Sequence, residues 1–491
     1  MNTKLLITAA VLSFYLTGFA QQKLAQQQPN VIIIFMDDMG YGDLEEYGAV
    51  GYKTPNITRL ANSGQRFTNF YTPQATCTAS RAALLTGTYP NRINIYGAFA
   101  PNEGIGLNLN ETTIAEMLKS SGYITAMVGK WHLGNEPDFL PTKQGFDAYL
   151  GIPYSNDMWP VDYDGRQLPP SHPRAQIYPT LPLLQIEAGQ HIPDTAMKVT
   201  TLDDQAKLTT IYTDKAVGFI KKNKQHPFFL YLAHSMPHVP IAASAKFKNK
   251  SEQGLFGDVM MEIDWSVQQI VKTLEQNGLT KNTIIIFTSD NGPWLNFGNH
   301  NGSTSGLREG KGTSWEGGTK VPCIISWPSV IPKGMVVNNL ASTIDILPTL
   351  AAITGASLPK HKIDGVNILS LLQGKDVTPR TKFNYYYNKN DLEAVRIGDW
   401  KLVFPHDYRS YEHVMPGNNG YPGQYRKGSL DSLELYDLRR DPGERYNVIE
   451  LYPKIVEELQ AYANEVKQDL GDDLTGISGT NRRPIGKLVK R

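Results

Sequence analysis

Four runs of mostly apolar residues, rich in β-branched and aromatic side chains, most constrain how this chain folds. They are VIIIFM at 31–36, YITAMVG at 123–129, PFFLYLA at 227–233 and TIIIFTS at 283–289. Runs without alternating polar positions are typical of strands buried on both faces, which occur mainly in parallel sheets. The sequence therefore predicts an α/β fold with a large, mostly parallel sheet flanked by helices.

Helical patterns lie between these runs. A helix is predicted over 111–121, ending before Gly122, because glycine is the commonest residue just past a helix end. A second helix is predicted over 257–277, where apolar residues recur every three or four positions before Gly278.

The sequence changes character from about Thr381. Two short strands joined at Gly398-Asp399 are followed by another strand and a turn, and an amphipathic helix is predicted over 455–470. We therefore predict a large domain over residues 21–380 and a small α+β domain over residues 381–491.

Residues 1–20 have the plan of a secretory signal peptide. A lysine is followed by an apolar run and then by Gly18-Phe19-Ala20, a small-residue cleavage site, and the run is short for a membrane span. We expect cleavage near Ala20, a periplasmic or secreted protein, and no membrane span after signal removal; a buried N-terminal helix is the alternative. The formal net charge of +1 argues against a nucleic-acid partner.

Polar and charged residues directly follow the four apolar runs. Because ligands in open α/β sheets bind beyond the carboxyl ends of the strands, we expect these side chains to converge on one site. They are Asp37, Asp38, Lys130, His132, His238, Asp290 and Asn291.

Two acidic pairs, Asp37-Asp38 and Asp290-Asn291, offer the hard oxygen ligands that Ca²⁺ or Mg²⁺ prefers. Acidic residues in loops are usually solvated, but neighbouring carboxylates at the ends of buried strands repel each other unless a cation lies between them. Zinc is not expected, because no Cys/His cluster has the spacing of zinc ligands.

Cationic and titratable residues beside such a metal would make a site for an anionic ester. Lys130 and His132 stand two residues apart in GKWHLG, and His238 lies among prolines in HSMPHVP. Lys311 lies between glycines, where the backbone can approach an anion closely. Each residue alone also fits an ordinary surface lysine or hydrogen-bonded histidine.

Cys77 is one of two cysteines in the chain, and Arg81 follows it by four residues in CTASR. A cysteine at a helix start beside an arginine would have a lowered pKa and could act as a nucleophile. Three alternatives stay open: a small buried apolar residue, a metal ligand, or a disulfide with Cys323, which otherwise fits a buried thiol in VPCIISWP.

These residues together resemble the type I sulfatases of the alkaline phosphatase superfamily. CTASRAALLTG resembles the C-x-[PA]-x-R signature whose cysteine is oxidised to Cα-formylglycine, and GYITAMVGKWHLG resembles the second signature of that family. PNVIIIFMDDMGYGD, HSMPHVP, TSDNGP, GKGTSWEGG and ELYDLRRDPGERYN also occur in the family's order, so the resemblance covers most of the chain. GIPYSND is similar to the arylsulfatase A and N-acetylgalactosamine-sulfatase branch. Ala79 replaces the commoner proline, which bears on the efficiency of maturation.

The resemblance implies an alkaline phosphatase-like fold, one bound Ca²⁺, and a formylglycine at position 77 installed by a formylglycine-generating maturation enzyme. The hydrated aldehyde is a geminal diol. The resemblance implies that one hydroxyl, held on calcium, attacks sulfur in line with the departing alcohol of the ester. The other hydroxyl then loses its proton, so that sulfate leaves and the aldehyde returns. A serine lacks the second hydroxyl, which is a physical reason for the modification.

The resemblance also assigns roles to residues around the metal. Arg81 would orient the diol, with Lys130 close to the same group. The implied Ca²⁺ ligands are Asp37, Asp38, Asp290, Asn291 and residue 77.

Further roles implied by the resemblance concern the proton transfers and the sulfate. His132 would be the base that assists sulfate elimination. His238 and Lys311 would bind the sulfate oxygens and protonate the leaving oxygen. Lys130 would also contact the sulfate, and Ser155 would add a hydrogen bond near it.

The expected substrate is a sulfated carbohydrate, with a galactose or N-acetylgalactosamine unit of a polysaccharide as the candidate. Residues 154–182 and 298–310 would wall the pocket, and His300 would reach a sugar hydroxyl. Two alternatives are a phosphate or phosphonate ester hydrolase of the same superfamily and a catalytically dead glycan-binding relative. The complete signature from Cys77 to Arg81 favours the sulfatase.

Overall fold

A ten-stranded mixed sheet organises this computed structural model, which describes residues 28–488. The predicted signal peptide, residues 1–20, lies outside the described residues. The strands of the described part are β1 Asn30–Met36, β2 Gln65–Phe67, β3 Phe70–Tyr71, β4 Ile105–Gly106, β5 Ile124–Gly129, β6 Ala148–Gly151, β7 Leu181–Ile186, β8 Asp194–Val199, β9 Phe228–Ala233, β10 Thr283–Ser289, β11 Cys323–Ser326, β12 Met335–Val337, β13 Ala341–Ser342, β14 Lys382–Tyr387, β15 Asp391–Ile397, β16 Trp400–Val403, β17 His406–Ser410, β18 Arg426–Leu430, β19 Glu434–Asp437 and β20 Gly486–Lys487.

Helices connect most of the central strands. The α-helices are α1 Pro55–Asn62, α2 Cys77–Thr86, α3 Ile114–Ser120, α4 Pro173–Ile177, α5 Leu202–Asn223, α6 Leu255–Gln276, α7 Glu316–Thr319, α8 Ile346–Thr354, α9 Leu369–Leu372 and α10 Pro453–Leu470. Short 3₁₀ helices cover Glu45–Tyr47, Pro90–Ile93, Pro137–Phe139, Pro141–Lys143, Thr280–Asn282, Leu295–His300, Thr343–Asp345 and Ile449–Leu451. Within residues 28–488, no helix combines the length and the apolar character needed to cross a bilayer.

The strand order of the large sheet is β12-β2-β11-β10-β1-β9-β5-β6-β7-β8. The four predicted strands are the neighbours β10, β1, β9 and β5, and together with β6 they form a parallel centre. This confirms the predicted fold class. The flanks differ, because β11, β2, β7 and β8 each run antiparallel to their inner neighbour.

The two faces of strand β1 pack against different helices. Its odd-numbered residues from 31 to 35 join a core with α2, α3 and α8. Its even-numbered residues from 32 to 36 join a core with α1, α5 and α6. Every residue of β1 is buried, as an uninterrupted apolar run predicts.

Helix α3 shows why a predicted boundary shifts. The sequence pattern starts at residue 111, but the helix begins only at Ile114. Thr113 ends the extended segment, because its side chain accepts a hydrogen bond from the backbone N–H of Glu116. The Glu116 carboxylate in turn accepts from the Thr113 N–H, which completes a capping box.

The C-terminal region forms an antiparallel sheet, β14-β15-β16-β19, and a separate hairpin of β17 and β18. The predicted turn at Gly398-Asp399 joins β15 to β16, and the predicted helix over 455–470 is α10. Helix α10 packs on β15 and β16. Their apolar core continues into the large domain through Tyr71 and Trp315.

A buried ion network ties this region to the large domain. The Lys401 Nζ of β16 lies 2.6 Å from Glu444 Oε1 and 3.4 Å from Glu316 Oε1 of α7, and all three side chains are fully buried. The Tyr71 hydroxyl donates a hydrogen bond to Glu316 at 2.6 Å. Buried charges of this kind are tolerated only while they stay paired.

Replacing Lys401 by methionine should destabilise the protein by about 3–5 kcal/mol, because two buried carboxylates then lose their shared cation. Urea unfolding at neutral pH measures the change. Lys427→Met is the control, since Lys427 pairs with Asp407 on an exposed part of the β17-β18 hairpin. An unchanged unfolding midpoint for Lys401→Met would contradict a stabilising role for this network.

Candidate functional site

The pairing of β1 with β10 brings the two acidic pairs together. The strands run parallel and in register from Asn30↔Thr283 to Met36↔Ser289, so both strands end at the same edge of the sheet. Carboxylate oxygens of Asp37, Asp38 and Asp290 therefore lie within 4.8 Å of one another, all buried. The backbone N–H of Asp38 donates to Asp290 Oδ1 at 3.1 Å.

The same edge carries buried oxygen atoms without hydrogen-bond partners. Asp37 Oδ1 and Asn291 Oδ1 are two of them. The Asn291 amide is oriented by its NH₂ group, which donates to Asp38 Oδ1 at 2.7 Å and to the Gly292 carbonyl at 2.8 Å. Three carboxylates at this spacing, with an unpartnered amide oxygen at the same edge, fit a hard divalent cation such as Ca²⁺.

Three buried cations surround the carboxylates. Arg81 Nη2 lies 2.8 Å from Asp290 Oδ2 and 3.5 Å from Asp37 Oδ1. Lys130 Nζ lies 2.6 Å from Asp37 Oδ2, and Lys311 Nζ lies 2.8 Å from Asp38 Oδ1. The structure thus brings together every predicted metal-site residue and these three predicted cations.

The charges in this cluster shift one another's pKa values. Burial raises the pKa of Asp37, but the charges of Lys130, His238 and Arg81 reverse this and hold it below its usual value. Burial and the nearby Asp37 charge raise the pKa of Asp290. The nearby cations therefore stabilise the charged form of Asp37 but not that of Asp290, which is consistent with a site that also takes a metal ion.

Cys77 is the first residue of α2, and it is buried. Its sulfur lies within 4.8 Å of potential ligand atoms of Asp37 and His238. The predicted lowering of its pKa is wrong: burial raises the pKa of the thiol, and Arg81 is paired with Asp290. The alternative of a disulfide is also wrong, because Cys77 and Cys323 are both free.

His132 is held as a neutral imidazole with one free nitrogen. Its Nε2 lies 2.9 Å from the Phe99 carbonyl, which can only accept, so Nε2 carries the proton. Nδ1 is buried and has no hydrogen-bond partner. Burial and the Lys130 charge lower the pKa of His132 well below its usual value. The Thr78 hydroxyl donates to the His132 carbonyl at 2.8 Å, which ties this residue to the start of α2.

His238 and Lys311 reach the cluster from the opposite side, at Asp38. His238 Nε2 lies 3.6 Å from Asp38 Oδ2, and burial and the Lys311 charge lower its pKa. Burial disfavours the charged form of Lys311, but Asp38 more than compensates and raises its pKa. Lys311 is therefore protonated beside Asp38.

Ser155 lies in the charged cluster, whereas His300 lies beside Gly420. The Lys130 ammonium donates to Ser155 Oγ at 3.0 Å. His300 ends a 3₁₀ helix, and a Cβ added to Gly420 would lie 3.3 Å from its Nδ1. Within residues 28–488, no hydrogen bond or ion pair joins His300 to these carboxylates.

Trp294 is a site residue that the sequence reasoning missed. Its ring centroid lies 5.6 Å from that of His238, and Lys311 Nζ lies 4.5 Å from it. Its place in the sequence does indicate that it lies near the acidic edge, since Trp294 stands three residues after the Asp290-Asn291 pair. An aromatic face beside the two cationic or titratable groups gives the site an apolar wall.

Family comparisons place the chain among known sequences. The family model described as Sulfatase matches residues 29–356, and the one described as C-terminal region of aryl-sulfatase matches residues 379–485. A third, N-sulphoglucosamine sulphohydrolase, C-terminal, matches residues 310–413.

Individual relatives agree with these matches. Human arylsulfatase A is 39% identical over 435 residues, covering 86% of this chain and 83% of that protein. The dog N-acetylgalactosamine-6-sulfatase is 36% identical over 464 residues, covering 90% and 86%. The PsFucS1 sulfatase of Pseudoalteromonas sp. superposes with a TM-score of 0.79 at 28% identity, covering 92% of each chain.

Asn291→Leu should weaken the binding of added Ca²⁺ by at least about tenfold, because it removes, at similar volume, the amide oxygen that has no hydrogen-bond partner at the acidic edge. Calorimetric titration of chelator-treated protein with Ca²⁺ measures the affinity. Asn282→Leu is the control, because Asn282 ends the 3₁₀ helix before β10, at the opposite end of that strand from the acidic edge. Equal calcium affinity in the Asn291 variant would exclude that residue as a ligand.

Proposed function

Since this chain belongs to the sulfatase family and hydrolyses sulfate esters, we propose that its substrate is a sulfated carbohydrate. We propose further that a formylglycine at position 77 and one calcium ion serve the reaction. The family resemblance predicted from the motifs is confirmed. The observation that supports the formylglycine and the calcium ion is the position of Cys77 at the start of α2, against the carboxylates and cations.

The state of the Cys77 thiol supports its modification. A thiol whose pKa is raised by burial stays neutral at physiological pH and is a poor nucleophile. A hydrated aldehyde supplies a hydroxyl for attack on sulfur and a second one for release of sulfate. The buried cysteine is thus better explained as a precursor than as the reacting group.

Calcium would be held by Asp37, Asp38, Asp290 and Asn291, the residues whose oxygens converge on the sheet edge. When bound, it would supply positive charge that acidifies the hydroxyl at position 77 and attracts the sulfate. Without it, the three carboxylates are matched by Arg81, Lys130 and Lys311. A divalent ion therefore leaves the site net positive, as an anionic ester requires.

His132 is the proposed base. Its unprotonated Nδ1 is buried and free of hydrogen bonds, so it can take a proton from the group at position 77. The Phe99 carbonyl fixes the tautomer by accepting from Nε2. The hydrogen bond from the Thr78 hydroxyl to the His132 carbonyl holds the His132 backbone next to the start of α2, where residue 77 lies.

The sulfate oxygens are proposed to be bound by Lys130, Lys311 and His238. Ser155, which accepts a hydrogen bond from the Lys130 ammonium, is proposed to add a hydrogen bond near the sulfate. Lys311 is protonated beside Asp38 and so presents both a positive charge and an N–H donor to the ester. We assign protonation of the leaving oxygen to Lys311 and His238 together. Arg81 orients residue 77 from one helical turn away.

The proposed substrate class draws on the relatives and on the aromatic wall of the site. One relative is named N-acetylgalactosamine-6-sulfatase, and Trp294 offers an apolar face of the kind that suits a sugar ring. We propose a galactose-type sulfated unit. We also propose that His300 contacts the sugar from the loop near Gly420. A phosphate ester hydrolase and an inactive glycan-binding relative are the alternatives.

We propose that residues 21–380 carry the catalytic groups and residues 381–491 complete the pocket. Removal of residues 1–20 after export would place the enzyme in the periplasm or outside the cell. A maturation enzyme would act on Cys77 before α2 is buried, because the cysteine is inaccessible in the folded chain.

Mass spectrometry of the tryptic peptide 67–81 from protein made in its native host should detect formylglycine at position 77. Cys77→Ala should release no sulfate from 4-nitrophenyl sulfate, because no hydroxyl is left to attack. An unmodified thiol in all molecules would contradict the proposed chemistry. Faster release of phosphate from 4-nitrophenyl phosphate by the wild type would favour the phosphatase alternative.

His132→Gln should lower kcat by about 10²–10⁴, with little change in KM, because it removes a base without removing a sulfate contact. Steady-state kinetics on 4-nitrophenyl sulfate measure both constants. His226→Gln, at an exposed position, is the matched control. A rise in KM with unchanged kcat would mean that His132 binds substrate and is not the base.

A further inference from the structure

A half-buried arginine beside the candidate sulfate site has no carboxylate partner. Arg409 lies on β17, and within residues 28–488 it forms no ion pair. The buried arginines Arg81 and Arg380, in contrast, are each paired with an aspartate at 2.8 Å or less. A guanidinium left without its own anion is available for an anion of a ligand.

The surroundings of Arg409 are tyrosines. Its guanidinium carbon lies 4.3 Å from the ring centroid of Tyr425, and its Nη1 lies 3.5 Å from the Tyr425 hydroxyl. Tyr387 and Tyr411 are also its neighbours. Tyr425 is 38% exposed, so this group opens to solvent and is not sealed within the core.

Arg409 contacts the loop that carries Lys311. A Cβ added to Gly312 would lie 3.1 Å from Arg409 Nη1 and 2.9 Å from the Tyr387 hydroxyl, and Gly312 has φ +80°. The Gly312 N–H donates to the Ala75 carbonyl at 2.9 Å, two residues before Cys77. Arg409 thus contacts the residue that directly follows Lys311, a proposed sulfate-binding lysine.

An aromatic path joins Arg409 to the sulfate site. The Trp294 indole N–H donates to the Tyr425 hydroxyl. The Trp294 ring faces both His238 and Lys311. A sugar whose sulfate lies against Lys311 and whose ring packs along Trp294 therefore extends toward Arg409.

We infer that Arg409 binds a second anionic group of the substrate, either a carboxylate or a further sulfate on the sugar unit that carries or adjoins the cleaved ester. This inference rests on the proposed function. The planar guanidinium can hold either anion through two hydrogen bonds, and the hydroxyls of Tyr387 and Tyr425 can donate to the same oxygens. A neutral sugar would leave the arginine without a partner on binding.

Two matched pairs of substrates test the inference. The first pair is a disaccharide of 6-sulfated N-acetylgalactosamine and glucuronic acid, and the same disaccharide with its carboxylate reduced to the alcohol. The second pair is N-acetylgalactosamine 4,6-disulfate and the 6-sulfate. Wild type, Arg409→Gln and Lys427→Gln are compared. Lys427 is the exposed cation directly opposite Arg409 on β18, and its ammonium is paired with Asp407.

Arg409→Gln should lower kcat/KM about 10- to 100-fold on the substrate with the second anion and less than about threefold on its partner, as expected for loss of a charge-assisted hydrogen bond. Lys427→Gln should change neither. A loss confined to the uronic acid pair identifies a carboxylate, and one confined to the disulfate pair identifies a second sulfate. An equal loss on all substrates, or no loss, would overturn the inference.

Binding measurements separate this inference from the proposed function. Calorimetric titration of Cys77→Ala protein with the acidic and the reduced disaccharide should show tighter binding of the acidic one, and adding Arg409→Gln should remove the difference. This result stands even if the wild type releases no sulfate, which would refute only the proposed function. If Arg409→Gln does not fold, Arg409→Lys replaces it and should lose activity selectively on the anionic substrates; an unselective loss would overturn the inference.

Discussion

The parallel pairing of β1 with β10 is the interaction on which the rest of the site depends. Its register ends both strands at one level, and the next residues of each chain are acidic. Carboxylates crowded there in a buried position repel one another, so the fold must supply positive charge. That charge comes from three separate segments: helix α2, the loop after β5 and the loop before α7. The sheet thus fixes where charge is needed, and the surrounding connections provide it.

The C-terminal region contributes differently. It supplies none of the carboxylates or cations at the sheet edge, but its hairpin packs against the loop that carries Lys311. The buried Lys401 network and the shared aromatic core hold that region in place. The charged cluster and the hairpin that packs beside it therefore come from different parts of the chain.

The sequence predicted the central strands and the acidic edge well, because both depend on local patterns. The runs at 31–36 and 283–289 are apolar throughout, and their ends are marked by Asp37 and Asp290. The antiparallel flanks carry no such mark: β8 is largely exposed and β2 has only three residues. Properties set by distant residues were missed. Arg81 seemed free to lower the pKa of Cys77, but its partner Asp290 stands 209 positions away. The position of Arg409 beside Lys311 is not predicted from the sequence for the same reason, because it exists only once the hairpin has folded.

The backbone at Gly312 has a consequence for how such an enzyme can change. The loop there has φ +80° and is enclosed by an arginine and a tyrosine, so no larger side chain fits without displacing them. If the proposed function holds, new contacts to a sugar are hard to introduce at Gly312 itself. They are easier to introduce on the β17-β18 hairpin, whose residues touch the loop from outside. Redesign for a different sulfated sugar would therefore begin with residues 406–430.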